Sequence, residues 1–399
     1  MLSFMNEGTT FNNINDAFLQ SLWNVHKYGT TYVIRGKEVK EIIDYSFRIL
    51  NPTHKVLVCP HRYNNFPATV AETLWVLSGR SDMKFLSYFL PNATNYADPP
   101  GREWRGAYGA RLKYFFDNYN QIIGVIEALK KDPFTRQAII VIPRPDYDYN
   151  PEIETKDRPC TVFAQFLIRD KKLHCFVRMR SNDVIFGTFN INVFEFTVLQ
   201  EIIAGIMGCE VGIYHHSAVS FHLYKEHYQR AENIIYDEKT RYNAYDFKQN
   251  HPKYQLKFKS YDKFDIIIRD IIDWIEYAID SKTEPFSGIR FITEFSTNYS
   301  NEQMATLSYL APCMSYVMLK KHGPIAAIKT LTSFALHLNN DVIIATLEYI
   351  MTNIHKYCDD ANIIAQSRKE VTDFITNQNY DSRSVDFVFW RGTPKTSNV

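Results

Sequence analysis

One stretch limits the possible folds more than any other: DRPCTVFAQFLIRDKKLHCFVRMRSNDVIFG, residues 157 to 187. Strand-forming residues flank the charged run Arg169 to Lys172, so the chain is expected to fold back there as a hairpin. The fold-back brings Cys160 opposite Arg180 or Ser181, depending on the register the turn selects. A guanidinium beside a thiol favours the thiolate, which is the nucleophilic form, and the same arginine can hold an anionic group of a substrate.

Helical patterns surround this hairpin. FPATVAETLWVLSG reads as a helix opened by Pro67 and closed by Gly79, apolar nearly all round, so Glu72 within it is expected to be buried. YNQIIGVIEALKKDP reads as a helix stopping at Asp132-Pro133, and TRQAIIVIPRP as a strand. A further helix spans about 192 to 207, with Leu199, Ile202, Ile203 and Ile206 on one stripe and Gly208 after it. AVSFHLYKEHY reads as a short strand passing into a helix. From about residue 300 the patterns are helical, which places a boundary near 285 between residues 1–285 and a mainly helical extension over 286–399.

Net charge excludes one large class of partner. With 45 basic and 44 acidic residues, the formal charge of +1 gives no basic excess for wrapping a nucleic acid. The six cysteines lack CxxC pairs and metal-ligand spacing, so free thiols in a reducing, cytoplasmic compartment are expected, with no metal. No basic segment followed by an apolar run opens the chain, and no stretch is expected to reach the length needed to span a bilayer, so a membrane location is not expected.

RPC before a strand ending in QF, then MRSNDVIFG and FHLYKEH, with DPFTRQAII and ETLWVLSG upstream, resemble the thymidylate synthase family, which includes the phage pyrimidine nucleotide hydroxymethylases. The similarity runs over roughly residues 20 to 270 in the family's order. It implies an α+β fold with a mixed sheet packed against helices, the helical carboxy-terminal extension being additional. It implies a homodimer with shared active sites, a pyrimidine nucleoside monophosphate as substrate and 5,10-methylenetetrahydrofolate as cosubstrate. The Cys160-Thr161 pair and LIRDKKLHCFVRMRSNDVIFG are closer to the hydroxymethylase branch. The implied activity is therefore C5-hydroxymethylation of dUMP, or of dCMP. Thymidylate synthesis is the alternative, and a family member without turnover that only binds nucleotide is the third.

Position by position, the resemblance implies that Cys160 adds to C6 of the base, making C5 the carbon that attacks the one-carbon unit. Arg180 and Ser181 would hold the 5′-phosphate, joined by Arg136 from the other subunit. His222 and Tyr224 would bind the sugar 3′-hydroxyl. Asp183 would orient the base or the pterin, Tyr108 would assist proton removal from C5, and Glu72 would organise water and proton transfers. For the base-reading asparagine, matching FN picks Asn190, whereas the phase of the following helix favours Asn192. An asparagine suits uracil, because its amide offers a donor and an acceptor.

Several positions depart from the family pattern. The second of its paired arginines is Gln137 here, which leaves Arg35 or Lys27 as supplementary phosphate ligands. The family's glycine-rich amino-terminal loop is not recognisable. Ala93 falls where the synthases carry a tryptophan beside the reactive methylene, which would leave room for water unless Tyr96 or Trp104 fills the gap.

Overall fold

The computed structural model describes residues 9–98, 104–114, 118–155, 157–237, 240, 243–246, 252–281, 304–378 and 388–389. The boundary expected near residue 285 lies outside these residues.

The expected hairpin forms from β5, Thr161–Arg169, and β6, Lys172–Asp183, which pair antiparallel with Arg169 opposite Lys172. Asp170 and Lys171 make the turn with φ of 51° and 59°, the left-handed pair that suits the twist of a two-residue hairpin. A register shift between Thr161 and Phe163 puts a bulge just after Cys160, where it bends the strand end.

Seven strands form one mixed sheet. The others are β1, Thr10–Phe11, β2, Thr30–Ile34, β3, Lys37–Ile49, β4, Ile139–Val141, and β7, Glu210–Tyr224, in the order β1-β3-β7-β6-β5-β4 with β2 on β3. β7 lies at the centre, parallel to β6 and antiparallel to β3. It is a long strand starting at Glu210, where the sequence suggested only a short one further on. The β2–β3 hairpin was not foreseen at all. Every residue of β2 is exposed, so no alternation of buried and exposed positions marks it.

α1, Ile14–Tyr28, packs on the sheet; α2, Phe66–Leu77, α3, Met83–Phe89, and α4, Tyr108–Lys113, pack against other helices; and α5, Gln121–Lys131, packs on the sheet beside β4. Asn65 caps α2 by accepting from the Ala68 N–H, and Pro67 occupies its first turn. α6, Val193–Met207, ends at Gly208, whose φ of 65° makes the left-handed stop.

A π-helix, Val184–Asn192, runs directly into α6. Together these residues are long and apolar enough to cross a bilayer by length and composition, contrary to the sequence expectation. Packing accounts for the apolarity, because most of this stretch is enclosed by the sheet and by neighbouring helices.

After α7, Tyr228–Tyr236, and α8, Tyr261–Asp280, come α9, Leu307–His322, α10, Pro324–Ser333, α11, Asn340–Thr352, and α12, Ala361–Asn377. α8, α9 and α11 pack on α2, and a single apolar core runs through the sheet, α2 and these later helices. Consequently α2 has no solvent face. Every residue from Phe66 to Leu77 is buried except Glu72, which opens on a cleft.

Candidate active site

The carboxy-terminal ends of the parallel strands β6 and β7 deliver Ser181, Asp183, His222 and Tyr224 to a cleft of about 450 Å³. Glu72 enters it from α2, Tyr108 from the start of α4, Cys160 from the position just before β5, and Asn190 and Asn192 from the π-helix. These nine residues, all named from sequence, line the one cleft. A bulge follows Cys160, and the π-helix, which winds more widely than an α-helix, carries Asn190 and Asn192. Gly187 permits that winding, since a Cβ there would lie 2.8 Å from the Asn182 amide nitrogen.

The hairpin register sets Arg180 against Cys160, with the Arg180 N–H donating to the Cys160 carbonyl at 2.8 Å. The Arg180 guanidinium donates to the Pro159 carbonyl at 2.9 Å and the Arg158 carbonyl at 2.8 Å, which fixes it beside the segment leading to Cys160. Its charge does favour the thiolate, but the outcome differs from the sequence expectation. Burial outweighs the arginine and pushes the Cys160 thiol above its ordinary value, with Arg180 and Arg35 pulling down and Asp157 pushing up.

Glu72 is pushed up to about 7 by burial. The Tyr108 hydroxyl accepts from the Thr161 N–H at 3.1 Å, and burial followed by the neighbouring Cys160 raises its pKa. Asp183 caps the π-helix by accepting from the N–H groups of Phe186 and Gly187, leaving its Oδ1 buried without a hydrogen bond. The Asn190 oxygen accepts from the Thr69 hydroxyl at 3.1 Å, and that of Asn192 from the Asn182 amide at 2.9 Å. His222 and Tyr224 meet edge to face, their ring centres 5.0 Å apart.

Arg136 is not brought to this cleft. It is exposed ahead of β4 at the sheet edge, where its carbonyl accepts from the Gln165 amide at 2.7 Å. Of the two supplementary cations, Arg35 acts on Cys160 from the β2–β3 turn, whereas Lys27 stands over the rings of Trp23 and Tyr28.

Ala93 is buried but is not among the residues lining the cleft, which include Leu90, Trp75 and Trp104. Trp104 therefore supplies the aromatic wall, its ring 5.9 Å from that of Trp75. The side chain of Tyr96 lies outside the described residues. Asp157 holds the Trp104 loop, accepting from the Gly106 N–H at 2.6 Å and from the Trp104 side chain, and burial moves its pKa up to about 6. Sequence reasoning missed Asp157, Asn182 and Glu195. The last had a signal, being one of very few charged residues in the apolar run from 184 to 207.

Residues 16–278 match the thymidylate synthase family model. A deoxyuridylate hydroxymethyltransferase of Bacillus phage SP01 is 36% identical over 220 residues, covering 53% of this chain and 57% of that protein. One of Delftia phage PhiW-14 is 37% identical over 203 residues, covering 49% and 56%. Another, of Pseudomonas phage M6, is 35% identical over 179 residues, covering 44% and 50%. The chain thus spans about half the length of these relatives. With the family model covering most of the 399 residues, including the hairpin, the π-helix and α2, the chain belongs to the thymidylate synthase family.

Proposed function

We propose that the protein is a one-carbon transferase that hydroxymethylates C5 of a pyrimidine nucleotide. It would convert dUMP, or dCMP, with methylenetetrahydrofolate and water to the 5-hydroxymethyl nucleotide and tetrahydrofolate. The observation that carries this reading is the meeting of Cys160, Ser181, Tyr108 and Glu72 around one cleft, with Arg180 held against the Arg158-Pro159 segment that leads to Cys160. The names of the phage relatives support the hydroxymethyl outcome.

The cleft residues also fit a folate, because Trp75, Trp104 and Leu90 offer an apolar, aromatic wall with Asp157 beside it as a hydrogen-bond acceptor. When bound, the folate supplies the one-carbon unit. Cys160 Sγ adds to C6 of the base, which makes C5 nucleophilic. Arg180 and Ser181 hold the 5′-phosphate, and Arg35 adds positive charge from the β2–β3 turn. His222 and Tyr224 bind the sugar, Asp183 orients the ring system, and Asn190 or Asn192 reads the base edge. Tyr108 assists proton removal from C5. Glu72, able to ionise near neutral pH, accepts the proton of the attacking water.

Arg136 would serve the phosphate site of a second copy in a homodimer. Its exposure at the edge of the sheet supports this, as does the sheet face away from the helices, where Ile139, Val141 and Val219 are exposed. All six cysteines are free thiols, which supports a reducing compartment, the host cytoplasm for a phage-encoded enzyme.

Methyl transfer with dihydrofolate release is the second reading, and Trp104 in the cleft wall favours it by excluding water. Mass analysis of the products from dUMP and dCMP, with dihydrofolate absorbance followed in parallel, separates the two. A hydroxymethyl product without dihydrofolate is expected, and stoichiometric dihydrofolate would make the protein a thymidylate synthase. Cys160→Ser should abolish turnover, together with the covalent adduct that a 5-fluoropyrimidine nucleotide traps on the wild type.

A further inference from the structure

The apolar run from 184 to 207 carries two buried glutamates, and they are treated very differently. Glu201 is fully paired, accepting from Lys55 Nζ at 2.6 Å and from the Leu256 N–H at 2.8 Å. Glu195, in the first turn of α6, has no hydrogen bond or ion pair among the described residues, and its Oε1 is buried without a partner. It is 2% exposed, yet it lines the same cleft as Glu72, Asn190, Asn192 and Cys160. A packed apolar side chain at this position would avoid the cost of burying an unpartnered carboxyl. Its presence on the cleft wall, a turn beyond the asparagines, calls for a partner that arrives with the ligand.

We infer that Glu195 is a catalytic residue that works in its protonated form, donating a hydrogen bond to the exocyclic C4 oxygen of bound uracil, which takes the substrate as dUMP. This deepens the pyrimidine nucleotide reading above and rests on it. When Sγ of Cys160 bonds to C6, the C5=C6 electron pair delocalises into the C4 carbonyl and the oxygen becomes an enolate. A neutral carboxyl aimed at that oxygen stabilises the charge as it forms. When C5 bonds its electrophile the carbonyl re-forms. Loss of the C5 proton regenerates the enolate, which expels tetrahydrofolate from the exocyclic carbon; water adds there in its place, and cleavage of the Sγ–C6 bond restores C5=C6, with Glu195 keeping its proton throughout.

The surroundings suit an acid that stays protonated. Glu72 faces it from α2, Tyr108 from α4 and Tyr214 from β7, all groups that are neutral or negative. Burial first, then the charge of Glu72, hold the Glu195 carboxyl well above the ordinary range. The two carboxyls therefore divide the work. Glu72 ionises near neutrality and takes a proton, while Glu195 keeps its own.

Steady-state kinetics over pH with Glu195→Leu and Glu195→Gln test this. Glu195→Leu should lower kcat by about a hundredfold or more, as loss of one donor to a developing oxyanion does, while KM and thermal stability hold. Glu195→Gln keeps a donor, so it should stay within about tenfold of wild type and lose the alkaline fall in kcat that deprotonation of Glu195 causes. Exchange of the C5 hydrogen of dUMP with deuterated solvent, followed without folate, reports the Cys160 addition alone. If Glu195→Leu leaves this exchange and kcat at wild-type values, the inference is overturned. If wild type exchanges C5–H, Glu195→Leu does not, and the product proves to be methylated, the hydroxymethylase reading falls and the role of Glu195 stands. If no pyrimidine nucleotide exchanges or turns over with wild type, both fall.

Discussion

Burial acts on Glu72 and Cys160 in the same direction, favouring the protonated form of each. With Glu72 at about 7, kcat is expected to rise as pH climbs through neutrality, and Glu72→Gln should remove that limb while leaving any later one due to Cys160. Stability should run the opposite way. Between 4.5, the ordinary value, and about 7 the folded protein holds a proton on Glu72 that the unfolded chain has released, so stability falls with rising pH and levels off above that window. Glu72→Gln should flatten this segment of a denaturation-midpoint profile, and an unchanged slope would count against a raised Glu72 carboxyl. Cys160, Arg180 and Glu72 could be named from sequence because each breaks a local expectation: a thiol at a hairpin end, a cation facing it, a carboxylate on an apolar helix. Glu195 breaks the same rule as Glu72, but its helix lacks an amphipathic face to show which way it points. Asp157 depends on a loop contact with Gly106, which no local pattern encodes.

At the scale of elements, the parts that could be read were those whose signals are local. The charged turn of the β5–β6 hairpin, the proline opening of α2 and the glycine stop of α6 all fall where expected. β7 was underestimated because His215, His216 and Ser217 interrupt its apolar alternation. In the fold His216 is satisfied within the protein, meeting the Tyr214 hydroxyl at 2.9 Å and the Asn182 amide oxygen at 3.0 Å. The π-helix has no compositional signature of its own, and the sequence offered only the ambiguity between Asn190 and Asn192, both of which line the cleft. The β5–β6 turn gives a direct test of local strain. Lys171 holds a left-handed conformation that a side chain disfavours, so Lys171→Gly should raise unfolding stability by about 1 kcal/mol. Equilibrium denaturation would measure it, and a loss of stability would mean that the lysine side chain contributes more than its backbone costs.

At the scale of the whole molecule, the proposed dimer divides the phosphate site between chains, with Arg180 supplied by one copy and Arg136 by the other. Mixing inactive Cys160→Ser subunits with inactive Arg136→Ala subunits should recover about a quarter of wild-type activity, since random exchange makes half the dimers mixed and each carries one intact site. Subunit exchange without recovery would show that Arg136 serves its own chain or no site. The helices beyond residue 304 read, in sequence, as a mainly helical extension. In the fold they share the apolar core, because α9 and α11 close over α2, and that relation between distant segments has no local sequence signal.

This closure also sets a timetable for synthesis. α2 is made early, but the helices that cover it emerge more than two hundred residues later. At roughly 5–20 residues per second, α2 would wait on the order of tens of seconds on the ribosome with its apolar flank open to solvent. During that interval the nascent chain is a natural client for chaperones. Ribosome-bound chains stalled before residue 304 should be protease-sensitive around Glu72, and chains released after α11 should resist.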